Sequence, residues 1–286
     1  PGPSGHVTEM NETVQEILKG SIDLHVHAGP EPGRERRMDA LETARHAYEA
    51  EMGGFVLKSH QYPTAPLADL LGRVYPGLKV HGAIVLNRAV GGLNPDAVQV
   101  SAALGARVVW MPTFDSHFAM QRQGLGPGIR MTDESGALAA EVNDILDIAS
   151  KEDMVLASGH ISPAETITLF TEARSRGVRR MVVTHPAEVA SPDELKTMVS
   201  LGAFPEFTFL SATPSSAKTT PKKMADAIKA LGVQHCVVTT DFGQWMNPSP
   251  AEGMRMAIAE LLHAGLTPDE VSTLVKGNPS QLLDRD

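Results

Sequence analysis

Short apolar runs alternate along the chain with amphipathic stretches of helical period. The clearest run is residues 22–27, where Ile22, Leu24 and Val26 alternate with Asp23, His25 and His27 before Ala28-Gly29-Pro30 ends it. A period of two predicts a β-strand whose i and i+2 side chains share one face. An amphipathic lead-in over 7–18 precedes it. Further strands are predicted at 54–60, 80–87, 107–111, 154–158, 180–184, 203–209 and 235–240. Helices are predicted at 38–52, 67–75, 96–104, 138–150, 163–176, 192–201, 221–231, 250–264 and 268–276. A polar loop covers 31–37, and a long loop covers 112–133.

Helix starts carry a repeated signature. Ser162, Ser191, Ser249 and Thr267 are each followed by proline and, at the third position, by Glu165, Glu194, Glu252 and Glu270. These are capping boxes with proline at the first helical position. Gly53, Gly105, Gly177, Gly202 and Gly232 stand between helix and strand, where a left-handed cap is expected.

Eight strand–helix alternations with no composition break predict an α/β protein with a parallel sheet. At this length they point to one closed (β/α)8 TIM barrel over 21–286, after an N-terminal extension over 1–20. Residues 1–5 read as a tag remnant. An open doubly wound sheet would favour a glycine-rich phosphate loop after the first strand, and that turn instead reads His-Ala-Gly-Pro-Glu-Pro.

Composition narrows the partners. The 286 residues are 42% hydrophobic and 21% charged, with a net charge of −9 and no basic tract. Nucleic acid and anionic membrane are thereby disfavoured as main partners, leaving a small molecule. No apolar run is long enough to span a bilayer. The one cysteine, Cys236, lies in an apolar run and reads as a small buried hydrophobe. It excludes an internal disulfide framework and fits a reducing cytoplasm. Whether copies of the chain associate is left open.

In barrels of this type the site lies at the C-terminal strand ends. His25 and His27 lie at the first such end, Lys58 and His60 at the second, His160 at the fifth, His185 at the sixth and Asp241 at the eighth. His46 and His263 fall within helices, His81 and His235 open strands at the opposite rim, and His6 is in the tail. His25 and His27 have two readings: ligands to one metal ion, or a hydrogen-bonded core pair.

His25-x-His27, His160, His185 and Asp241 in this order resemble the metal constellation of the amidohydrolase superfamily, as does the closing Gly277-Asn278-Pro279-Ser280 segment. The resemblance implies a divalent-metal site, zinc first and manganese second, on His25, His27, His160, His185 and Asp241. Many members add a bridging carboxylated lysine or glutamate at the fourth strand end. Here that end reads Trp110-Met111-Pro112-Thr113, so one or two ions remain open. Lys58 can supply the carbamate bridge, an ammonium facing a substrate carboxylate or carbonyl, or one half of a structural ion pair; Glu206 is the other nearby candidate. The auxiliary β-sandwich of many members is not expected.

The implied reaction is hydrolysis of a small lactone, amide or imide by a zinc-activated water. Asp241 serves as general base and then acid, with Lys58 or His185 polarising the carbonyl. Asp23 either fixes an imidazole tautomer or satisfies backbone groups. Substrate contacts are expected from His60, Arg88, Thr113, His117, Arg130 and Trp245, in loops that commonly carry function. The alternative is a non-hydrolytic member, a decarboxylase or deaminase with one metal ion. A catalytically silent scaffold is the reading from another class.

Overall fold

The computed structural model describes residues 3–285, with side chains from Glu9 onward. Pro1, Gly2 and the side chain of His6 lie outside the described residues, and with them part of the segment read as a tag remnant. The elements run α1 (Pro3–Leu18), β1 (Ile22–Val26), α2 (Ala40–Glu49), β2 (Gly54–Leu57), α3 (Ala65–Val74), β3 (Lys79–His81), β4 (Ala83–Val85), α4 (Pro95–Ala103) and β5 (Val108–Trp110). Next come α5 (His117–Arg122), α6 (Ala140–Lys151), β6 (Val155–Ala157), α7 (Pro163–Ser175), β7 (Arg180–Val183), α8 (Pro192–Ser200) and β8 (Ala203–Thr208). The chain ends with α9 (Pro221–Leu231), β9 (Val237–Thr239), α10 (Pro250–His263), α11 (Pro268–Ser272) and α12 (Asn278–Leu283).

This is the expected β/α alternation, with corrections. The strand predicted at 80–87 is two strands, β3 and β4, separated at Gly82. A Cβ on Gly82 would lie 2.3 Å from the Cα of Ala65, so the backbone passes too close to α3 for a side chain there. His81 ends β3 rather than opening a strand, and His235 lies in a 3-10 turn before β9. The long loop carries the short helix α5, capped by Ser116. Three of the four capping boxes are complete. At Ser249 only half forms, because Arg255 holds the Glu252 carboxylate. Gly105, Gly177, Gly202 and Gly232 have positive φ as expected, whereas Gly53 does not; Glu51, at φ +55, takes the left-handed position there.

The chain divides into two compact units. One comprises the residues up to Leu57 together with Leu70–Val80 and Phe207–Gln281; the other comprises Lys58–Asp69, His81–Glu206 and Leu282–Asp286.

In the first unit β1 pairs in parallel with β2, Ile22 opposite Gly54 and Asp23 opposite Phe55. Beyond the other edge of β1, Val26 bridges Phe242 in parallel, just past β9. Every residue of β1 is buried, so its polar side chains are held inside the unit. Helices α1 and α10 pack together. Asn278 donates from Nδ2 to the carbonyls of Val233 (2.9 Å) and Cys236 (2.7 Å), pinning the turn that starts β9. Cys236 is fully buried as expected, and burial pushes its thiol up to about 12.

In the second unit β4, β5, β6, β7 and β8 pair in parallel in chain order. Helix α6 buries Val142, Ile145, Leu146 and Ala149, one stripe at i, i+3, i+4 and i+7. Full burial of an isoleucine or leucine stabilises by about 1.5–3 kcal/mol. Gly159 follows β6 at φ +63, and a Cβ there would sit 2.2 Å from the Met111 carbonyl oxygen. Gly159→Ala is therefore expected to lower unfolding free energy by about 2 kcal/mol or more. Urea unfolding checks this; an unchanged midpoint would contradict the placement of that turn.

Among the described residues no helix is long and apolar enough to cross a membrane.

Candidate metal centre

In the first unit the alternation of β1 sends Asp23 and His25 to one face, and His27 follows just beyond the strand. The His27 N–H donates to the Phe242 carbonyl (2.8 Å), and the Asp241 N–H donates to the His25 carbonyl (3.0 Å). This ladder brings residues 214 or more positions apart into one cluster. His25 Nε2 and His27 Nε2 are 3.2 Å apart, and Asp241 Oδ1 lies 3.1 Å from the first and 3.2 Å from the second. Asp241 has φ +55, a left-handed conformation that asparagine and aspartate tolerate better than most residues.

Two occupancies suit this triangle: protons on both imidazoles, each N–H donating to Asp241 Oδ1, or a cation shared by all three atoms. Two nitrogens bound to zinc at tetrahedral angles are about 3.3 Å apart. The residues present thus fit a divalent ion in type, number and spacing.

The charge states agree. Burial holds the His27 imidazole well below its usual range, and the Arg36 charge adds to that against the pull of Asp241. Burial pushes the Asp241 carboxyl up, but His25 and His27 overrule it and hold it well below the ordinary carboxylate range. A neutral imidazole and an ionised carboxylate are the forms that ligate metal.

Asp23 serves backbone groups, one of the two roles expected for it. Its Oδ1 accepts from the His25 and Thr240 amides, both at 3.1 Å, and its Oδ2 accepts from the Thr240 hydroxyl. Trp245 is 56% exposed, and its carbonyl accepts from Arg37 Nη1 (3.1 Å). It lines a surface groove of about 610 Å³ with Arg36, Arg37, Met38, His46 and Pro248.

The second unit gathers the other predicted residues. His160 Nε2 and His185 Nε2 are 3.1 Å apart, a separation that one hydrogen bond or one shared ion satisfies equally well. His185 has φ +26, and its Nδ1 lies 3.9 Å from Glu188. Phe114 packs between His60 and His160, with ring centroids at 4.4 and 5.3 Å. His60 Nδ1 hydrogen-bonds the Thr113 hydroxyl (2.8 Å), which also accepts from Asn87 Nδ2 (2.8 Å). Asn87 Oδ1 accepts from the Thr113 amide (2.9 Å). Lys58 is fully buried, its Nζ 4.9 Å above the Trp110 ring, and Glu206 is buried on β8.

Arg88 anchors the long loop: its amide donates to Asp115 (2.8 Å) and its Nη2 to the Pro127 carbonyl (2.9 Å). Arg130 is exposed and shares a cleft with Arg88 and Glu141. His117 starts α5, with its Nδ1 buried and without a hydrogen-bond partner. Two contributors escaped the sequence reading. Asn87, the last residue of the strand predicted at 80–87, organises Thr113. Glu31, in the loop read merely as polar, is a buried carboxylate close to His27. Nothing in the local pattern distinguishes either from an ordinary polar residue.

The strand and helix arrangement is that of amidohydrolase-superfamily structures. An amidohydrolase from Pseudomonas aeruginosa superposes with a TM-score of 0.67 at 12% identity, covering 96% of this chain and 98% of that one. An organophosphorus hydrolase from Deinococcus radiodurans gives 0.62 at 14% identity, over 93% and 92%. A weak promiscuous lactonase used as a template for organophosphate hydrolysis gives 0.62 at 14%, over 93% and 96%. At such identities the likeness is one of fold. No curated protein matches the chain in sequence. A family model, however, matches residues 20–206, a span that takes in His25, His27, Lys58, His60, His160 and His185 and ends before Asp241. On that match the chain belongs to DUF6282, a family of unknown function.

Proposed function

We propose that this protein is a metal-dependent hydrolase of small carbonyl compounds, lactones, amides or imides. The observation that carries the reading is the triangle of His25, His27 and Asp241, whose edges of 3.1–3.2 Å suit a shared cation. Zinc is the first choice and manganese the second, since imidazole with carboxylate suits both. When bound, such an ion acidifies a water molecule and polarises a carbonyl. Asp241 accepts the proton of the attacking water and returns it to the leaving group. His185 and Lys58, which follow β7 and β2, are assigned to the carbonyl oxygen. His160 and His185 offer a second matched spacing for an ion.

For the substrate, His60, His117, Arg130 and Trp245 remain the assigned contacts, whereas Arg88 and Thr113 already serve their own loops. That a lactonase and an organophosphorus hydrolase share the fold supports a substrate with an activated ester-like bond. The single cysteine supports a reducing compartment, the cytoplasm, and the net charge of −9 a small-molecule partner.

One observation favours the single-metal alternative, a decarboxylase or deaminase. β5 ends in Trp110, 4.9 Å from Lys58 Nζ, where a bridging carboxylate would be needed.

The test is to measure metal content and then turnover on a panel of lactones, amides and imides. Hydrolysis abolished by chelation and restored by zinc or manganese is expected. Activity that survives complete metal removal would end the metal reading. Release of carbon dioxide or ammonia without ring opening would favour the alternative.

A further inference from the structure

The loop after β1 brings a second carboxylate to the first unit's cluster. The Glu31 side chain has no exposed surface, and a carboxylate oxygen lies within 4.8 Å of a ring nitrogen of His27. Arg36, whose side chain is 6% exposed, donates to Glu31 Oε2 from Nε (2.7 Å) and from Nη2. The loop that carries both is closed at its base, where Gly29 N–H donates to the Met38 carbonyl and Ala40 N–H to the Gly29 carbonyl, each at 2.8 Å. It is also tied to the turn after Asp241, since Arg37 N–H donates to the Gly243 carbonyl (3.0 Å). The loop that carries the carboxylate is thus anchored to the turn after Asp241.

As a purely structural pair this arrangement is poorly motivated. Two desolvated charges contribute little net stability, and apolar replacements of similar volume are often neutral or better. Next to a metal site the same pair has a use. Carboxylates beside ligating imidazoles set ring orientation and raise ligand basicity.

Resting on the metal reading above, we propose that Glu31 is a positioning residue of the metal centre, its carboxylate held by Arg36 within 4.8 Å of a ring nitrogen of His27. The ligand served is a divalent cation. The carboxylate orients the His27 ring and adds negative charge to the field that retains the ion.

The test is titration of the full chain with zinc by calorimetry and with cobalt by visible absorption. Glu31→Gln is expected to weaken zinc about 10- to 100-fold and to shift the cobalt band, with Glu31→Asp restoring part of both. Glu31→Gln leaves Arg36 buried beside a neutral amide and so can lower the melting temperature by itself. The double variant Glu31→Gln/Arg36→Met removes both charges. It is expected to regain the melting temperature of the metal-free parent while zinc affinity stays low. Parent-like zinc affinity and cobalt spectrum in both Gln-containing variants would reduce Glu31 to an ion-pair partner and overturn the proposal. A parent chain that binds neither metal would overturn the metal reading and this inference together.

Discussion

Asp241→Asn is expected to cut turnover of the best substrate by about 10²- to 10⁴-fold, the usual contribution of a positioned general base. The substitution is chosen because it tests charge and little else. Asparagine tolerates the left-handed φ of +55 at this position, and its side-chain oxygen can still face the two imidazoles. What disappears is the carboxylate that balances the cation and carries the proton. Zinc affinity should fall in the same variant while far-ultraviolet circular dichroism stays unchanged.

The pH behaviour supplies a second check. The folded-state carboxyl titrates below its unfolded value of 3.8, so it contributes stability above that value and loses it as pH falls through the lower folded one. The stability gap between parent and Asn variant, measured without metal, should therefore be constant at neutral pH and close in strong acid. Unimpaired turnover by the Asn variant would remove Asp241 from the mechanism.

Asp23→Ala is expected to destabilise the protein by about 3 kcal/mol or more. It removes the acceptor for two buried amides, those of His25 and Thr240, and for the Thr240 hydroxyl. Each buried donor left without a partner costs about 1–3 kcal/mol. At roughly 2–4 °C per kcal/mol for a chain of this size, the melting temperature should drop by about 6 °C or more. The effect should reach the site as well, because Asp23 ties the amide of one proposed ligand to the residue preceding another.

Asp23→Asn keeps one oxygen acceptor and should cost less. Burial pushes the Asp23 carboxyl up to about 7, above its unfolded 3.8, so its contribution is greatest in acid and diminishes as pH rises toward 7. The advantage of the parent over the Asn variant should shrink along that rise. Thermal denaturation between mildly acidic and neutral pH measures both effects, and an Ala variant as stable as the parent would show that the amides find other partners.

The β/α alternation, three complete capping boxes and the candidate ligands were legible in the sequence because each depends on local rules. Period two marks a buried strand, a hydroxyl three residues before glutamate marks a helix start, and histidines at strand ends stand out against apolar runs. The departures have equally local causes of another kind. Gly82 breaks a strand because α3 passes against it, Glu252 deserts its cap for Arg255, and Glu51 takes the left-handed turn in place of Gly53. In each case the deciding atom belongs to a neighbour in space or to a competing partner, and no pattern along the chain announces it.

The sequence by itself determined which residue types reach the strand ends, and hence that His25, His27 and Asp241 were candidates for one ion. Only the tertiary structure decided that their ligand atoms stand 3.1–3.2 Å apart, since that spacing depends on the ladder joining β1 to the turn after β9. It also decided the roles of Asp23, Asn87 and Glu31. A buried polar side chain acquires its function from the donors and acceptors that burial forces on it, and those come from segments far away in the chain.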